Sequence, residues 1–190
     1  MGLTLTPEKA LIFRITHIDN LTWILANGLH ARNGRTWDPN FRAIGNPELI
    51  VKRNTRSVPV APFGVLSRIE RLCSILFHAI FYNAYNIKTG YGVLRVPNEE
   101  IIILLSSLPS IKKLEMPFVF TNQHAYPVIA EYFNDLADLN RIEWKQLVDR
   151  DFKQDHEDPG KKERYQAEAL IWPHLEGSSV GRLTCSMLLS

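Results

Sequence analysis

Short apolar runs, separated by polar segments that contain glycine or proline, divide this chain into many small elements. Leu11–His17 is rich in β-branched and aromatic residues, which predicts a first strand. Asp19 or Asn20 can then cap a helix, because apolar residues follow at intervals of three and four and the pattern stops at Gly28. The first predicted unit is therefore a strand that leads directly into a helix.

The middle of the chain predicts one apolar helix and several short strands. Residues 65–81 carry apolar side chains at helical spacing, at Ile69, Leu72, Cys73, Leu76 and Ile80. Residues 86–92 predict a turn, residues 93–96, 101–105 and 118–120 predict strands, and residues 127–147 predict two helices. Because strands and helices mix without regular βαβ alternation, the predicted fold class is α+β.

Composition narrows the class of protein without identifying it. With 190 residues, 45% of them hydrophobic, the chain suits one globular domain over residues 1–190. A net charge of +2 is too small to predict nucleic-acid binding by itself. Cys73 and Cys185 are isolated, which favours a reducing compartment. With no targeting pattern and no apolar segment of about 18 residues, we expect a cytoplasmic protein without membrane contact.

Glu168 is the first candidate for chemistry. A charged segment, residues 161–164, gives way to an apolar run that predicts a buried strand, and Glu168 lies at the entrance to it. A carboxylate at a buried position must be paired with a cation or hydrogen-bond donors, or it must have a functional role. On a strand, Gln166 would share its face and Tyr165 would take the opposite one. The alternative is an edge-strand glutamate in water or paired with Arg164.

His17 is the second candidate, because it lies where the first strand meets the N-terminus of a helix. Such a place suits anions and diphosphates, although an ordinary histidine satisfied by backbone groups explains the position equally well. The six histidines contain no pair at the spacing of metal ligands, and the cysteines are far apart. The sequence therefore predicts no metal.

Residues 32–47 predict a long polar loop with aromatic and basic side chains. Trp37 and Phe41 lie among three arginines, Arg32, Arg35 and Arg42. Such a combination can stack on bases and hold phosphates. The alternative is a loop that folds back on the core.

Four segments in this order resemble the DarT family: residues 15–21 (ITHIDNL), 44–49 (IGNPEL) followed by Lys52 and Arg53, 120–125 (FTNQHA) and 164–168 (RYQAE). The resemblance covers about residues 12–175. It implies a fold like that of ADP-ribosyltransferases, with a mixed or antiparallel split sheet and flanking helices. It further implies a toxin of a toxin–antitoxin pair, which uses NAD as co-substrate to put ADP-ribose on a base of single-stranded DNA, with thymine the expected base.

The resemblance assigns the cofactor site and the two catalytic residues. Thr16, His17 and Ile18 are expected to line the NAD site, which Asn20 helps to form. Glu168 matches the catalytic glutamate, whose carboxylate would stabilise the oxocarbenium-like ribose left when nicotinamide departs.

Arg53 matches the catalytic arginine of the family and is also expected to contact NAD, with Arg56 as the alternative alignment. In this family the arginine is proposed to take a proton from the base. Because a guanidinium is normally always protonated, Arg53 holding the diphosphate or polarising the base is an open alternative.

The acceptor side of the site is assigned to Thr121, Asn122 and His124. The loop of residues 32–42 is expected to carry the single strand by charge and stacking. A cognate antitoxin is the expected protein partner.

Residues 68–84 depart from the family pattern. The family has a strand and a proline-containing loop there that helps to enclose NAD, so we expect this chain to lack a core strand and part of the NAD wall. Two compensating indels that put the segment out of frame are one hypothesis, which the coding DNA decides. The segment after residue 175 also looks shortened.

Three functional readings remain open from the sequence. The first is an active NAD-dependent DNA transferase, and the second is an inactive, degraded family member that at most binds DNA or a partner protein. The third is a transferase of related fold that acts on RNA or protein.

Overall fold

A computed structural model describes residues 4–31, 36–53, 57–60, 65–68, 72–78, 80–172, 174–175 and 184–185 of the chain. The strands in chain order are β1 (Leu11–His17), β2 (Leu29–His30), β3 (Ser57–Val60), β4 (Val65–Arg68), β5 (Cys73–Leu76), β6 (Ile101–Ser107), β7 (Phe118–Thr121), β8 (Tyr132–Phe133), β9 (Glu168–Ile171), β10 (His174–Leu175) and β11 (Thr184–Cys185). The α-helices are α1 (Leu21–Asn27), α2 (Pro47–Arg53), α3 (Ile80–Thr89), α4 (Leu108–Lys113), α5 (Trp144–Asp149) and α6 (Lys161–Arg164). Three 3-10 helices cover Ile18–Asn20, Asn98–Glu100 and Leu136–Arg141.

Seven of these strands form one sheet in the order β11-β6-β1-β5-β9-β7-β8. Each neighbouring pair in it is antiparallel, and β10 with β2 and β3 with β4 form two separate two-stranded ribbons. Among the described residues, the two parts of this sheet, β11-β6-β1 and β5-β9-β7-β8, are joined by the single register pair Phe13 and Leu76. Helices flank the sheet, so the predicted α+β class with an antiparallel, divided sheet is confirmed.

The strand-to-helix unit predicted at the start of the chain is present. α1 ends where Gly28 adopts φ +94° and donates its N–H to the carbonyl of Ile24 over 2.8 Å. Asn20, one of the two predicted caps, occupies the N-cap position of α1, but its side chain makes no capping hydrogen bond. The side chain of His17 accepts the N–H of Asp19 and caps the preceding 3-10 helix. The Asn20 amide is instead committed to tertiary contacts, which the local pattern does not reveal.

The helix predicted over residues 65–81 is wrong for the described residues up to 78, and only its last two described residues are helical, as the start of α3. β4 and β5 occupy this stretch, and β5 lies in the centre of the sheet between β1 and β9. Along β5 the residues alternate between buried and half-buried, so the run satisfies a period of two as well as the helical spacing. Backbone pairing on both sides of β5 decides between the two patterns, and the expected loss of a core strand is therefore also wrong.

Other predicted elements differ in type or extent. α3 includes residues 86–89 of the predicted turn, and residues 93–96 form no strand. Of the two helices predicted over residues 127–147, the first is replaced by β8 and a 3-10 helix, whereas the second, shorter one is present as α5. The side chain of Asp135 accepts the N–H of Ala137 and starts the 3-10 helix, and the Trp144 indole donates to the carbonyl of Leu139 over 2.7 Å. Because these polar contacts favour other backbone conformations, the apolar residues of this stretch do not form one continuous helix.

The hydrophobic core lies against the middle of the sheet. Ile12 and Phe13 of β1, Ile75 of β5 and Phe120 of β7 are all buried in it. Phe77 follows β5 and contacts Phe120 edge-to-face, with ring centroids 6.1 Å apart. The core thus fixes the ends of β5, β7 and β9 relative to one another.

We expect Ile75→Ala to lower the free energy of unfolding by about 2–5 kcal/mol, because its side chain is 1% exposed and the change leaves a cavity. Leu25→Ala is the matched control, since Leu25 is 54% exposed on α1 and its loss should change stability by no more than about 0.5 kcal/mol. Urea unfolding monitored by circular dichroism measures both. Equal stability of the two variants would contradict the placement of β5 in the core.

Candidate active site

Glu168 is the first residue of β9, and its side chain is completely buried. Both carboxylate oxygens are fully engaged. Arg53 donates Nη2–H to Oε2 over 2.8 Å and Nη1–H to Oε1 over 3.2 Å. The Ser74 hydroxyl donates to Oε2, and the backbone N–H of Ala125 donates to Oε1 over 2.8 Å. The alternative of a solvated edge glutamate is therefore wrong.

Arg164, the other alternative partner of Glu168, points elsewhere. Its Nε lies 2.7 Å from Glu143, and its Nη2 donates to Asp158. Tyr165 and Gln166 lie in the turn before β9 rather than on the strand. Tyr165 is fully buried, while Gln166 lines the cavity described below, so the two side chains do take different directions.

The carboxyl of Glu168 is held in its charged form. Burial alone would raise the pKa of Glu168, but the charge of Arg53, the interaction with His124 and the hydrogen bonds from Arg53 and Ser74 outweigh it and lower the pKa to about 2. A carboxylate with this pKa is ionised throughout the neutral range.

Arg53 is delivered by α2, whose start is well specified by the sequence. The Asn46 side chain accepts the N–H of Leu49 over 3.0 Å, and Pro47 occupies the first helical position. The Asn46 amide also donates to the carbonyl of Gly92 over 3.2 Å, which ties the helix to a neighbouring loop. Arg53 is in the last turn, where a cation interacts favourably with the helix dipole.

His124 lies beside this pair and is buried. Its Nδ1 accepts the N–H of Tyr126 over 3.2 Å, so a neutral ring carries its proton on Nε2. Nε2 lies 3.4 Å from Nη1 of Arg53 and 4.0 Å from Oε1 of Glu168. Burial lowers the pKa of His124, Glu168 opposes this shift and Arg53 adds to it. A buried imidazole therefore lies against both members of the pair.

A cavity of about 670 Å³ lies in front of these side chains. Arg53, Ser74 and His124 line one part of it, and Arg14 and Thr16 of β1 line another. Aromatic side chains, Trp37, Phe41, Tyr91 and Tyr126, also belong to the lining. Glu168 itself lies behind Arg53 and Ser74. The volume is in the range of pockets that enclose a small-molecule ligand or cofactor.

The residues predicted to line the NAD site divide into two groups. Thr16 lines the cavity, and its hydroxyl oxygen accepts the amide of Asn20 over 2.9 Å. Asn20 also bonds the backbone N–H and carbonyl of Arg42, over 2.8 and 2.9 Å, and so fixes the loop before α2. Asn20 thus supports the cavity from behind.

His17 and Ile18 are not part of the cavity lining. Nε2 of His17 lies 2.7 Å from Glu100, and Ile18 is exposed at the surface. His17 stabilises the strand-to-helix junction in this arrangement, and a direct contact of either residue with NAD stays a prediction.

On the acceptor side, His124 alone of the three predicted residues lines the cavity. The Thr121 hydroxyl donates to the carbonyl of Gln123 over 2.5 Å and lies 3.2 Å from the carbonyl of Glu168, so it fixes the start of β9. The Asn122 amide donates to Glu131 over 2.7 Å. Contacts of Thr121 and Asn122 with the acceptor stay predictions.

Three arginines named from the sequence, Arg32, Arg35 and Arg56, lie outside the described residues. Arg42 is exposed and pairs with Asp19 over 3.1 Å and Glu100 over 3.5 Å. Trp37 and Phe41 line the cavity, so the predicted loop brings its aromatic residues to the site.

The sequence analysis missed two donors to Glu168. Ser74 was assigned to a helix, although the alternating pattern of residues 73–76 would have placed it on a strand with its side chain on one face. Ala125 contributes a backbone N–H, for which a side-chain pattern carries no signal. Among the described residues, no group of three potential ligands could hold a metal ion, and no helix is long and apolar enough to cross a membrane.

An ionised carboxylate at the edge of a nucleotide-sized cavity is what stabilisation of a positively charged sugar requires. Together with the divided antiparallel sheet, this places the chain in the class of ADP-ribosyltransferases, enzymes that take ADP-ribose from NAD. Residues 13–187 match the profile of the family described as DarT, ssDNA thymidine ADP-ribosyltransferase. The chain belongs to the DarT family.

Individual relatives agree with this assignment. A protein of Escherichia coli O127:H6 named DNA ADP-ribosyl transferase is 44% identical over 182 residues, which cover 96% of this chain and 83% of that protein. The structure of Thermus sp. 2.9 DarT in complex with ADP-ribosylated ssDNA matches with a TM-score of 0.77 and 27% identity, over 91% of this chain and 79% of that one. The same Thermus protein in complex with NAD+ matches with a TM-score of 0.71 and 28% identity, over 88% and 77% of the chains.

We expect Glu168 to make stability depend on acid pH. A folded-state pKa of about 2 against a usual 4.5, at about 1.4 kcal/mol per unit, contributes about 3 kcal/mol. Because the folded-state pKa is the lower one, this contribution is complete above about pH 4.5 and is lost as the pH falls towards 2. Urea unfolding from about pH 6 to about pH 2.5 should show a steeper loss in the unaltered chain than in Glu168→Gln. Parallel curves would contradict an ionised, paired carboxylate.

Proposed function

We propose that this chain carries out its family's reaction, the transfer of ADP-ribose from NAD to thymine in single-stranded DNA, with Glu168 and Arg53 as the catalytic pair. The bidentate contact between these two residues beside the cavity is the observation that carries the proposal. It also favours the active enzyme over the inactive alternative, because both catalytic side chains are present and held in place.

The cavity fits NAD in size and in the charge of its lining. Arg14 and Arg53 offer two cations for the diphosphate, and aromatic side chains offer surfaces for flat rings. In the reaction the bond between ribose and nicotinamide breaks and nicotinamide leaves as a neutral molecule. A bond from the ribose to the base forms, and the proton that this bond replaces passes to solvent. Glu168 stabilises the positive charge on the ribose in between, and its low pKa keeps it ready at neutral pH.

Arg53 is assigned to binding negative charge rather than to taking a proton. Its guanidinium is a donor to both oxygens of Glu168, and a guanidinium has no lone pair to accept a proton. For the ribose to reach the carboxylate, Arg53 has to give up at least one of these contacts. A released N–H group can then hold the diphosphate or a carbonyl of the base.

The DNA strand is assigned to the aromatic rim of the cavity, which we define as Trp37, Tyr91 and Tyr126. Trp37 and Tyr91 are 44% and 73% exposed, so their rings are available for stacking with bases. His124 lies between the rim and the catalytic pair, and its Nε2–H suits a carbonyl of the incoming base.

The same chemistry supports a role as a toxin, because a bulky ADP-ribose group on a template base would obstruct copying of DNA. We propose that the chain acts in the cytoplasm, where DNA and NAD are present, and that an antitoxin protein restrains it. Induced expression in a bacterial host should arrest growth with the unaltered chain and leave it unaffected with Glu168→Gln. Equal growth of both cultures would contradict the toxin role.

We expect a thymine-containing single-stranded oligonucleotide incubated with NAD and the purified chain to gain one ADP-ribose by mass spectrometry. Glu168→Gln should lower the rate by about 100-fold or more, since it removes the charge that stabilises the transition state. RNA, protein and thymine-free oligonucleotides serve as parallel acceptors. Modification of one of these in place of thymine would overturn the proposed substrate, and no transfer by a demonstrably folded chain would favour the inactive alternative.

We expect Tyr91→Ala to raise the KM for the oligonucleotide by about 5-fold to 100-fold, because one stacked base is worth about 1–3 kcal/mol. The KM for NAD and the melting temperature should change little. Tyr85→Ala is the matched control, since Tyr85 is 60% exposed and is not part of the cavity lining. Steady-state kinetics with varied oligonucleotide distinguishes the two, and an equal effect in both variants would remove the rim from the DNA site.

A further inference from the structure

We propose that Ser74, which lies in the segment that departs from the family pattern, is a positioning residue for the catalytic carboxylate of Glu168. The proposal rests on the function proposed above and deepens it. It assigns a role in catalysis to the divergent segment, residues 68–84. From the sequence we expected this segment to cost the chain part of the NAD wall.

The geometry indicates that the Ser74 hydroxyl holds the carboxylate of Glu168. Ser74 is half-buried on β5, lies opposite Leu170 of β9 and lines the cavity. Its Oγ–H donates to Oε2 of Glu168, the oxygen that otherwise has only Arg53 as a partner. The donor and the acceptor sit on neighbouring strands of one sheet, so the relative position of the two residues is set by backbone pairing.

The hydrogen bonds to Glu168 differ in whether they can be kept during catalysis. Both N–H groups of Arg53 come from a long side chain at the end of a helix, and a ribose at the carboxylate must displace at least one of them. Ser74 and the N–H of Ala125 belong to the sheet and to the loop after β7, and each holds a different oxygen. These two fixed donors keep the carboxylate aimed while Arg53 moves.

The backbone of Ser74 is itself held by a half-buried cation. Nη1 of Arg14 donates to the carbonyl of Ser74 over 2.8 Å, from the adjacent strand β1. This contact adds to the pairing of β5 with β9 and restricts the position of the hydroxyl. The same hydrogen bond from Ser74 contributes to the lowered pKa of Glu168.

Ser74→Ala, Ser74→Thr and the matched control Ser106→Ala test the proposal. Ser106 lies on β6 of the same sheet, opposite Ile12, and is not part of the cavity lining. A hydrogen bond to a charged group corresponds to about 10-fold to 100-fold, so Ser74→Ala should lower kcat by that factor with little change in the KM for NAD. Ser74→Thr keeps the hydroxyl on a β-branched side chain that suits a strand, and it should recover most of the rate.

The pH profile separates positioning from a general effect on folding. Loss of the hydroxyl should move the acid limb of kcat to higher pH by about one to two units, since the charged form of Glu168 loses a donor. If Ser74 had a merely structural role, Ser74→Ala would lower the melting temperature and leave the acid limb of kcat at the same pH. An unchanged kcat and acid limb in Ser74→Ala, or equal losses in Ser74→Ala and Ser74→Thr, would overturn the proposal.

A measurement without substrates keeps the proposal distinct from the proposed function. Titration of the Glu168 carboxyl by isotope-edited NMR should give a higher pKa in Ser74→Ala than in the unaltered chain and in Ser106→Ala. This result, together with an unaltered chain that does not modify DNA, would reject the function and support the positioning contact. Equal pKa values in the three proteins would reject the positioning contact whatever the activity.

Discussion

The ion pair between Arg53 and Glu168 is the interaction on which the site depends. A buried carboxylate is strongly unfavourable unless its oxygens are satisfied, and this one takes two donors from Arg53, one from Ser74 and one from the Ala125 backbone. These groups come from a helix, a strand and a loop. The fold must bring all of them to the start of β9, and the position of each is therefore coupled to the others.

The same constraint links stability to catalysis. The donors that keep Glu168 charged inside the protein also cover it, so the proposed catalytic carboxylate is screened from the cavity by its own partners. Arg53 is the side chain that can yield, because it reaches Glu168 from the end of α2 and faces the cavity. The fixed donors, the Ser74 hydroxyl and the Ala125 N–H, then keep the carboxylate of Glu168 oriented. Preorganisation of this kind avoids rearrangement at the moment when positive charge develops.

The divergent segment shows how sheet pairing can override a local pattern. Residues 73–76 satisfy a helical spacing and a strand alternation equally well, and their neighbours β1 and β9 each offer an unpaired edge. β9 pairs with all four residues of β5, β1 pairs with Leu76, and Cys73 and Ile75 fill the core. The strand thus forms without the family's usual residues, and a polar side chain reaches the carboxylate from it.

The sequence by itself determined the α+β class, β1, β7 and the start and end of α1, because strand propensity and glycine at a helix end are local signals. It also named Arg53 and Glu168 as candidates, through short motifs that resemble the family. Only the tertiary structure decided that β5 is a strand, that Asn20 and Thr121 brace the site from behind, and that Ser74 and the Ala125 amide bind the carboxylate. These contacts join residues more than 20 positions apart or use the backbone. The energies of these contacts depend on which residues the fold brings together. A local pattern of side chains carries no information about that.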